Sequence, residues 1–212
     1  MKISEQKLHS KDGFGSIKEL IATVSCSHAL AVNPRAGDYL QTLIERNTII
    51  DSFVSDDEWI SAAKQFSENV YTGYSSKPLL KIEDATYDAI IVSEDIGYAD
   101  DCDAMLKEYF RLLKPKGALL GGIFNIRYAG NINSFLRDKG LYEKNKLCGS
   151  GLISLDGLLE RLGGLGFCSA DVYNLQDDGE DCTAYTAVSN KNVKPVAQEI
   201  FSTKIHFIQA VK

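Results

Sequence analysis

Apolar and polar positions along this chain fall into two alternating periods. Ser16 caps a helix running to about Cys26, with Ile17, Leu20, Ile21 and Val24 on one face. The short apolar run Ala29-Leu30-Ala31-Val32 follows and stops at Asn33-Pro34-Arg35-Ala36-Gly37, which reads as a buried strand and a tight turn. Asp38 to Arg46 returns to helical spacing through Tyr39, Leu40, Leu43 and Ile44. The unit then repeats. Thr48 to Val54 is rich in β-branched residues, and Ser55-Asp56-Asp57-Glu58 opens a helix with acids in its first turn, where the helix dipole favours them. That helix carries Trp59, Ile60, Ala63 and Phe66. Asn69 to Thr72 and Tyr87 to Val92 are strands, Ala104 to Leu113 is a helix, and Ala118 to Phe124 is an apolar strand entered through the turn Lys114-Pro115-Lys116-Gly117.

Past Phe124 the rhythm loosens. Asn131 to Lys139 suggests a short helix, and Leu155 to Gly163 a clearer one. A strand from Gly166-Phe167 to about Leu175, the acidic turn 177–181 and a final strand from Thr183 to Ser189 predict an antiparallel hairpin. Residues 191–212 are expected to be an appendage, in which Lys204 to Val211 fits helix or strand equally well.

Strands alternating with helices imply an α/β domain: a mostly parallel sheet with right-handed crossovers and helices on both faces. The expected sheet has seven strands and closes on the C-terminal antiparallel hairpin. The domain is expected to span 28–190, preceded by an N-terminal arm and helix over 1–27. Ligands in such folds bind at the carboxyl ends of the strands, near the point where strand order reverses. Residues 33–37, 53–55, Tyr74 and 93–98 should then share one cleft.

Composition removes several function classes. A formal net charge of −6 speaks against general nucleic-acid binding, which needs clustered Lys and Arg. Cys26, Cys102, Cys148, Cys168 and Cys182 form no C-x-x-C pair and share no ligand spacing with His9, His28 and His206, so no metal site is expected. No secretory signal and no apolar run near membrane-spanning length is present, and the expectation is a cytoplasmic protein with reduced thiols. The segment Asn33 to Asp38 lacks the Gly-x-Gly-x-x-Gly that a nicotinamide cofactor requires.

Four segments, in this order, resemble the class I S-adenosylmethionine-dependent methyltransferases. Tyr87-Asp88-Ala89-Ile90-Ile91-Val92-Ser93-Glu94 resembles the family's Phe-Asp-x-x-x-x-Ser-Glu strand. Leu113-Lys114-Pro115-Lys116-Gly117 resembles its Leu-Lys-Pro-Gly-Gly turn. Phe124-Asn125-Ile126-Arg127-Tyr128 resembles a Pro-Asn-x-Arg-Tyr segment of one branch associated with sugar and glycan metabolism, and Gly166-Phe167 fits the approach to the last hairpin. The resemblance implies a Rossmann-like methyltransferase fold, S-adenosylmethionine as cofactor, and a small-molecule or glycan acceptor.

The cofactor half departs from the pattern. The family's first strand ends in an acid followed by Gly-x-Gly-x-Gly; here the acid falls on Ala31 and the glycines on Asn33, Arg35 and Gly37. The acid that holds the ribose falls on Phe53, with Asp51 two residues earlier as a displaced substitute, and a third carboxylate falls on Tyr74. Asn33, Arg35, Gly37, Asp51, Phe53, Tyr74 and Ser93 are therefore the candidate cofactor residues. Glu94, Asp95, Tyr98, Asn125, Arg127 and Tyr128 are the candidate substrate residues. Plainer roles stand beside these: a tight turn for Gly37, a solvated charge for Arg35, packing for Phe53 and Tyr74, helix capping for Glu94 and Asp95. Two functions remain open, a methyltransferase with weakened cofactor binding and a non-catalytic relative serving as a binding or assembly module. A homodimer contact is expected from 191–212.

Overall fold

The computed structural model describes residues 1–6, 13–34, 38–73, 76–96, 101–125, 127–128, 153–176 and 202–212. Its strands are β1 (Lys2–Gln6), β2 (His28–Val32), β3 (Ile49–Val54), β4 (Asn69–Thr72), β5 (Tyr87–Asp95), β6 (Leu113–Phe124), β7 (Ser169–Gln176) and β8 (Thr203–Val211). The helices are α1 (Gly13–Thr23), α2 (Asp38–Glu45), α3 (Asp57–Phe66), α4 (Cys102–Leu112) and α5 (Leu155–Leu165), with a 3-10 helix over Lys77–Lys81.

All eight strands form one sheet in the order β1-β7-β8-β6-β5-β2-β3-β4. Every neighbouring pair is parallel except those made by β8, which runs antiparallel to both β6 and β7. Strand order reverses between β2 and β5. The chain runs outward from β2 through β3 to β4, then returns to β5 on the other side.

Two buried clusters sandwich the sheet. On one face Ile17, Leu20 and Ile21 of α1 and Tyr39, Leu40 and Leu43 of α2 pack on Ala29, Ala31, Ile91, Leu120 and Phe207. On the other, Leu106, Tyr109 and Leu112 of α4 and Leu158 and Leu162 of α5 pack on Leu30, Ile90, Leu119, Val172 and Ile208. Helix ends follow local chemistry. The Asp101 side chain accepts from Ala104 N–H and that of Ser154 from Gly157 N–H, and α5 stops at Gly166, whose φ of 105° suits glycine. Arg111 on α4 donates to the carbonyls of Leu79 and Ile82 and pairs with Glu108 and Asp84, which pins the 3-10 helix to the domain.

Three expectations need correction. Among the described residues the sheet has eight strands where seven were expected, because Lys2–Gln6 adds an edge strand beside β7. That strand is mostly polar and largely exposed, with Ile3 as its one apolar residue, so no apolar alternation announces it. The antiparallel partner of β7 is Thr203–Val211; the expected strand 183–189, the acidic turn 177–181 and the helix 131–139 lie outside the described residues. Third, 203–211 is not an appendage. It lies between β6 and β7, with Phe207 turned to one cluster and Ile208 and Ala210 to the other. Residues 203–211 are built into the sheet, and residues 191–201 lie outside the described residues.

Lys116 has a φ of 67° in the turn where the family resemblance places a glycine. A side chain in this left-handed region crowds its own carbonyl. Lys116→Gly is expected to stabilise the domain by about 0.5–1 kcal/mol, raising the thermal midpoint by roughly 1–4 °C. A drop in the midpoint would show that the lysine makes compensating contacts.

Candidate functional site

The carboxyl ends of β2, β3, β5 and β6 meet around the reversal of strand order, where α/β folds hold their ligands. Asn33 follows β2 with a φ of 46°. Its N–H donates to the Phe53 carbonyl at 2.8 Å, and its side-chain oxygen accepts from Ser55 N–H at 2.8 Å and from the Ser55 hydroxyl at 3.1 Å. Asparagine tolerates this backbone better than most residues because it is small and polar. Asn33 thus locks the tip of β2 to the tip of β3.

Phe53 is 2% exposed and belongs to the buried cluster that also holds Val32, Leu79, Tyr87 and Val92. The ring is packing where a ribose-holding acid was sought. Asp51 lies deeper on the same strand, 2% exposed. One carboxylate oxygen accepts from the Asn69 N–H at 3.1 Å and the Asn69 side-chain amide at 2.9 Å. The other accepts from the Tyr87 hydroxyl at 2.8 Å and faces His28 Nε2 at 3.1 Å. Burial disfavours the charged form of Asp51. The bonds from His28, Asn69 and Tyr87 outweigh that effect and hold its carboxyl below the usual carboxylate range. The same carboxylate, added to burial, pushes the Tyr87 phenol upward. Asp51 is therefore the centre of a buried network joining β2, β3, β4 and β5. Its carboxylate oxygens are thus engaged by His28, Asn69 and Tyr87.

At the tip of β5, Ser93 Oγ is 2.5 Å from the hydroxyl of Tyr39 on α2. Tyr39 is 1% exposed, and burial pushes its phenol well above the ordinary value despite the serine partner. The β5–β6 register shifts between Val92 and Asp95. The chain then bends back so that Ile96 covers Gly121, where a Cβ would come within 3.0 Å of the Ile96 side chain and of the Val92 carbonyl. Glu94 and Asp95 close β5 at this irregularity.

At the tip of β6, Asn125 is 6% exposed. Its amide donates to the Thr203 carbonyl at 2.8 Å, its N–H to the Lys204 carbonyl at 3.1 Å, and its side-chain oxygen accepts from Arg127 N–H at 3.0 Å. Asn125 clamps β6 to the start of β8. Arg127 is exposed and Tyr128 half-buried beside it. Arg35, Gly37, Tyr74 and Tyr98 lie outside the described residues.

The structure thus brings Asn33, Phe53, Ser93 and Asn125 to one edge of the sheet and sets Asp51 below it. Sequence reasoning placed Ser55 in the cleft but missed Tyr39. Tyr39 matched the apolar face of α2, and nothing in its spacing marked the hydroxyl as the partner of Ser93. Among the described residues no helix is long and apolar enough to cross a membrane.

No family model and no curated protein matches this sequence. Solved structures do. One is an S-adenosylmethionine-dependent methyltransferase from Archaeoglobus fulgidus, at 16% identity and a TM-score of 0.66, covering 92% of this chain and 94% of that one. Another is a mycolic acid cyclopropane synthase complexed with S-adenosylhomocysteine, at 16% identity and a TM-score of 0.67, covering 94% of this chain and 84% of that one. A third is an S-adenosylmethionine-dependent methyltransferase from Thermotoga maritima, at 14% identity and a TM-score of 0.62, covering 92% and 86%. At these identities the likeness concerns the backbone, and it spans nearly the whole length of each partner. This chain has the Rossmann-like fold of the class I S-adenosylmethionine-dependent methyltransferases.

Proposed function

We propose that this protein is a methyltransferase relative in which the hold on S-adenosylmethionine is weakened, with a small molecule or glycan as acceptor. The observation that carries this reading is the pair Phe53 and Asp51. The strand tip that should offer a carboxylate offers a buried phenyl ring, and the nearest acid is committed to His28, Asn69 and Tyr87. Asn33 and Ser93 support it, since each already has a bond inside the protein. The described residues at the tips of β2 and β3 do not fit the family's ribose grip. Each lost charged hydrogen bond is worth about 1.5–3 kcal/mol, or roughly one to two powers of ten in affinity. Methyl transfer relies chiefly on holding donor and acceptor in line, so a weak site is compatible with slow turnover.

Thermal shift with S-adenosylhomocysteine at about 1 mM tests this. A dissociation constant near 1 mM gives about 0.4 kcal/mol and a shift of roughly 1 °C, whereas one near 10 μM gives about 2.7 kcal/mol and roughly 5–10 °C. The small shift is expected; the large one contradicts the reading.

A second reading, a non-catalytic binding or assembly module, is favoured by the Asn33–Ser55 and Tyr39–Ser93 bonds, which satisfy strand-tip groups without a ligand. No shift at any concentration up to several millimolar, with no methyl transfer to any acceptor, selects it.

A further inference from the structure

On the face covered by α5, three strands change character as they reach the carboxyl edge of the sheet. β6 runs Leu119, Gly121, Ile123 and then Asn125; β7 runs Ala170, Val172 and then Asn174; β8, read backward, runs Ala210, Ile208 and then His206. The apolar positions are buried. His206 and Asn174 lie at one level, with His206 paired to Ile123 on one side and to Asn174 on the other, and Asn125 follows two residues beyond Ile123. This end of the edge lies two strands beyond the reversal point, away from β3 and Phe53.

His206 is held there in a defined state. Its Nδ1 is 2.8 Å from the side-chain oxygen of Asn174. A carboxamide oxygen can only accept, so the shared proton sits on Nδ1. Burial lowers the imidazole pKa, against the opposing pull of Asp156 in the first turn of α5, and favours the neutral ring. A neutral ring protonated on Nδ1 carries its lone pair on Nε2, which has no bonded partner among the described residues. The Asp156 carboxylate makes the surroundings unfavourable for an anion.

We infer that His206, oriented by Asn174, is a ligand-binding residue whose Nε2 accepts a hydrogen bond from a protic donor, a hydroxyl or an amine, at the β6–β8–β7 end of the cleft. The inference rests on the reading that this edge is the acceptor side of a methyltransferase-like site, and it names the acceptor class: a group that carries a proton and is not an anion. Asn174 is a positioning residue, since it acts only through the ring.

Long-range 1H–15N spectra of the isotopically labelled full chain test it. In the free protein His206 is expected to show a protonated Nδ1 and a bare Nε2; the reverse assignment overturns the inference. Three probes are then added separately: methyl glucoside and phenol as neutral hydroxyl donors, and butylamine as the amine. At least one is expected to move the Nε2 resonance saturably, and propionate is expected to leave it unmoved. Movement by propionate alone, or by none of the four, overturns the inference. His206→Ala is expected to weaken the responding probe about five- to tenfold, the worth of one neutral hydrogen bond, while His206→Gln, whose carbonyl can accept, retains more of the binding. Equal binding by the alanine variant also overturns it. S-adenosylhomocysteine added in the same spectra separates the two claims. A donor probe acting on His206 without any cofactor response sinks the weak-methyltransferase reading and leaves this one standing. The converse pattern does the opposite.

Discussion

Replacing Asp51 with alanine is expected to cost about 3–5 kcal/mol of folding stability, a large share of the 5–15 kcal/mol typical of a domain. The carboxylate is 2% exposed and takes hydrogen bonds from Asn69 and Tyr87 and the close approach of His28. Truncation removes the acceptor of the buried Tyr87 hydroxyl and breaks the contacts of the partly exposed His28 and Asn69. Urea denaturation at neutral pH reads the loss. A change below 1 kcal/mol would mean that the network contributes little. The network also sets a pH dependence. The folded-state pKa of Asp51 is depressed, so its contribution is present above the ordinary carboxylate range near 4 and fades as pH falls through the folded value. Asp88 behaves alike. Burial opposes its charge, but Lys114, Ser27 and the backbone of His28 bring it down to about 2. Stability should therefore fall between about pH 4 and pH 2, and Asp51→Ala should flatten part of that fall.

Phe53→Ala is the second large effect, about 3–5 kcal/mol, from lost apolar burial and the cavity left beside Val32, Leu79 and Val92. The same variant bears on the site. If the ring were only a plug in an otherwise intact cofactor pocket, its removal would restore tight binding of S-adenosylhomocysteine. We expect no such gain, because truncation supplies no carboxylate and Asp51 stays committed to its network. Denaturation and calorimetry on one preparation read both outcomes; a destabilised variant with micromolar affinity would show that the ring alone closes the site.

Much of the fold was legible because β2 and β5 are buried on both faces and read as apolar runs. Ala29 to Val32 and Tyr87 to Val92 could be little else. Two strands were not legible. Lys2–Gln6 earns its place by pairing with β7 and by the contact of the Ser4 hydroxyl with Asp171, which involves a partner far along the chain. Thr203–Val211 fits two periods equally, and only its insertion between β6 and β7 decides. At the site, the anomalous residue types at 33 and 53 were visible, and so was the proximity of Asp51. The filling of its acceptor positions was not, because His28, Asn69 and Tyr87 come from three other strands. The imidazole–carboxamide pair of His206 and Asn174 was invisible for the same reason: it joins residues 32 positions apart.

The residues at the strand tips bear on how weakly this cleft would hold S-adenosylmethionine. Isothermal calorimetry of the full chain with S-adenosylmethionine and S-adenosylhomocysteine measures that directly. We expect dissociation constants of about 1 mM or weaker, a binding free energy of about −4 kcal/mol or less negative. A dissociation constant in the low micromolar range for either ligand would contradict it.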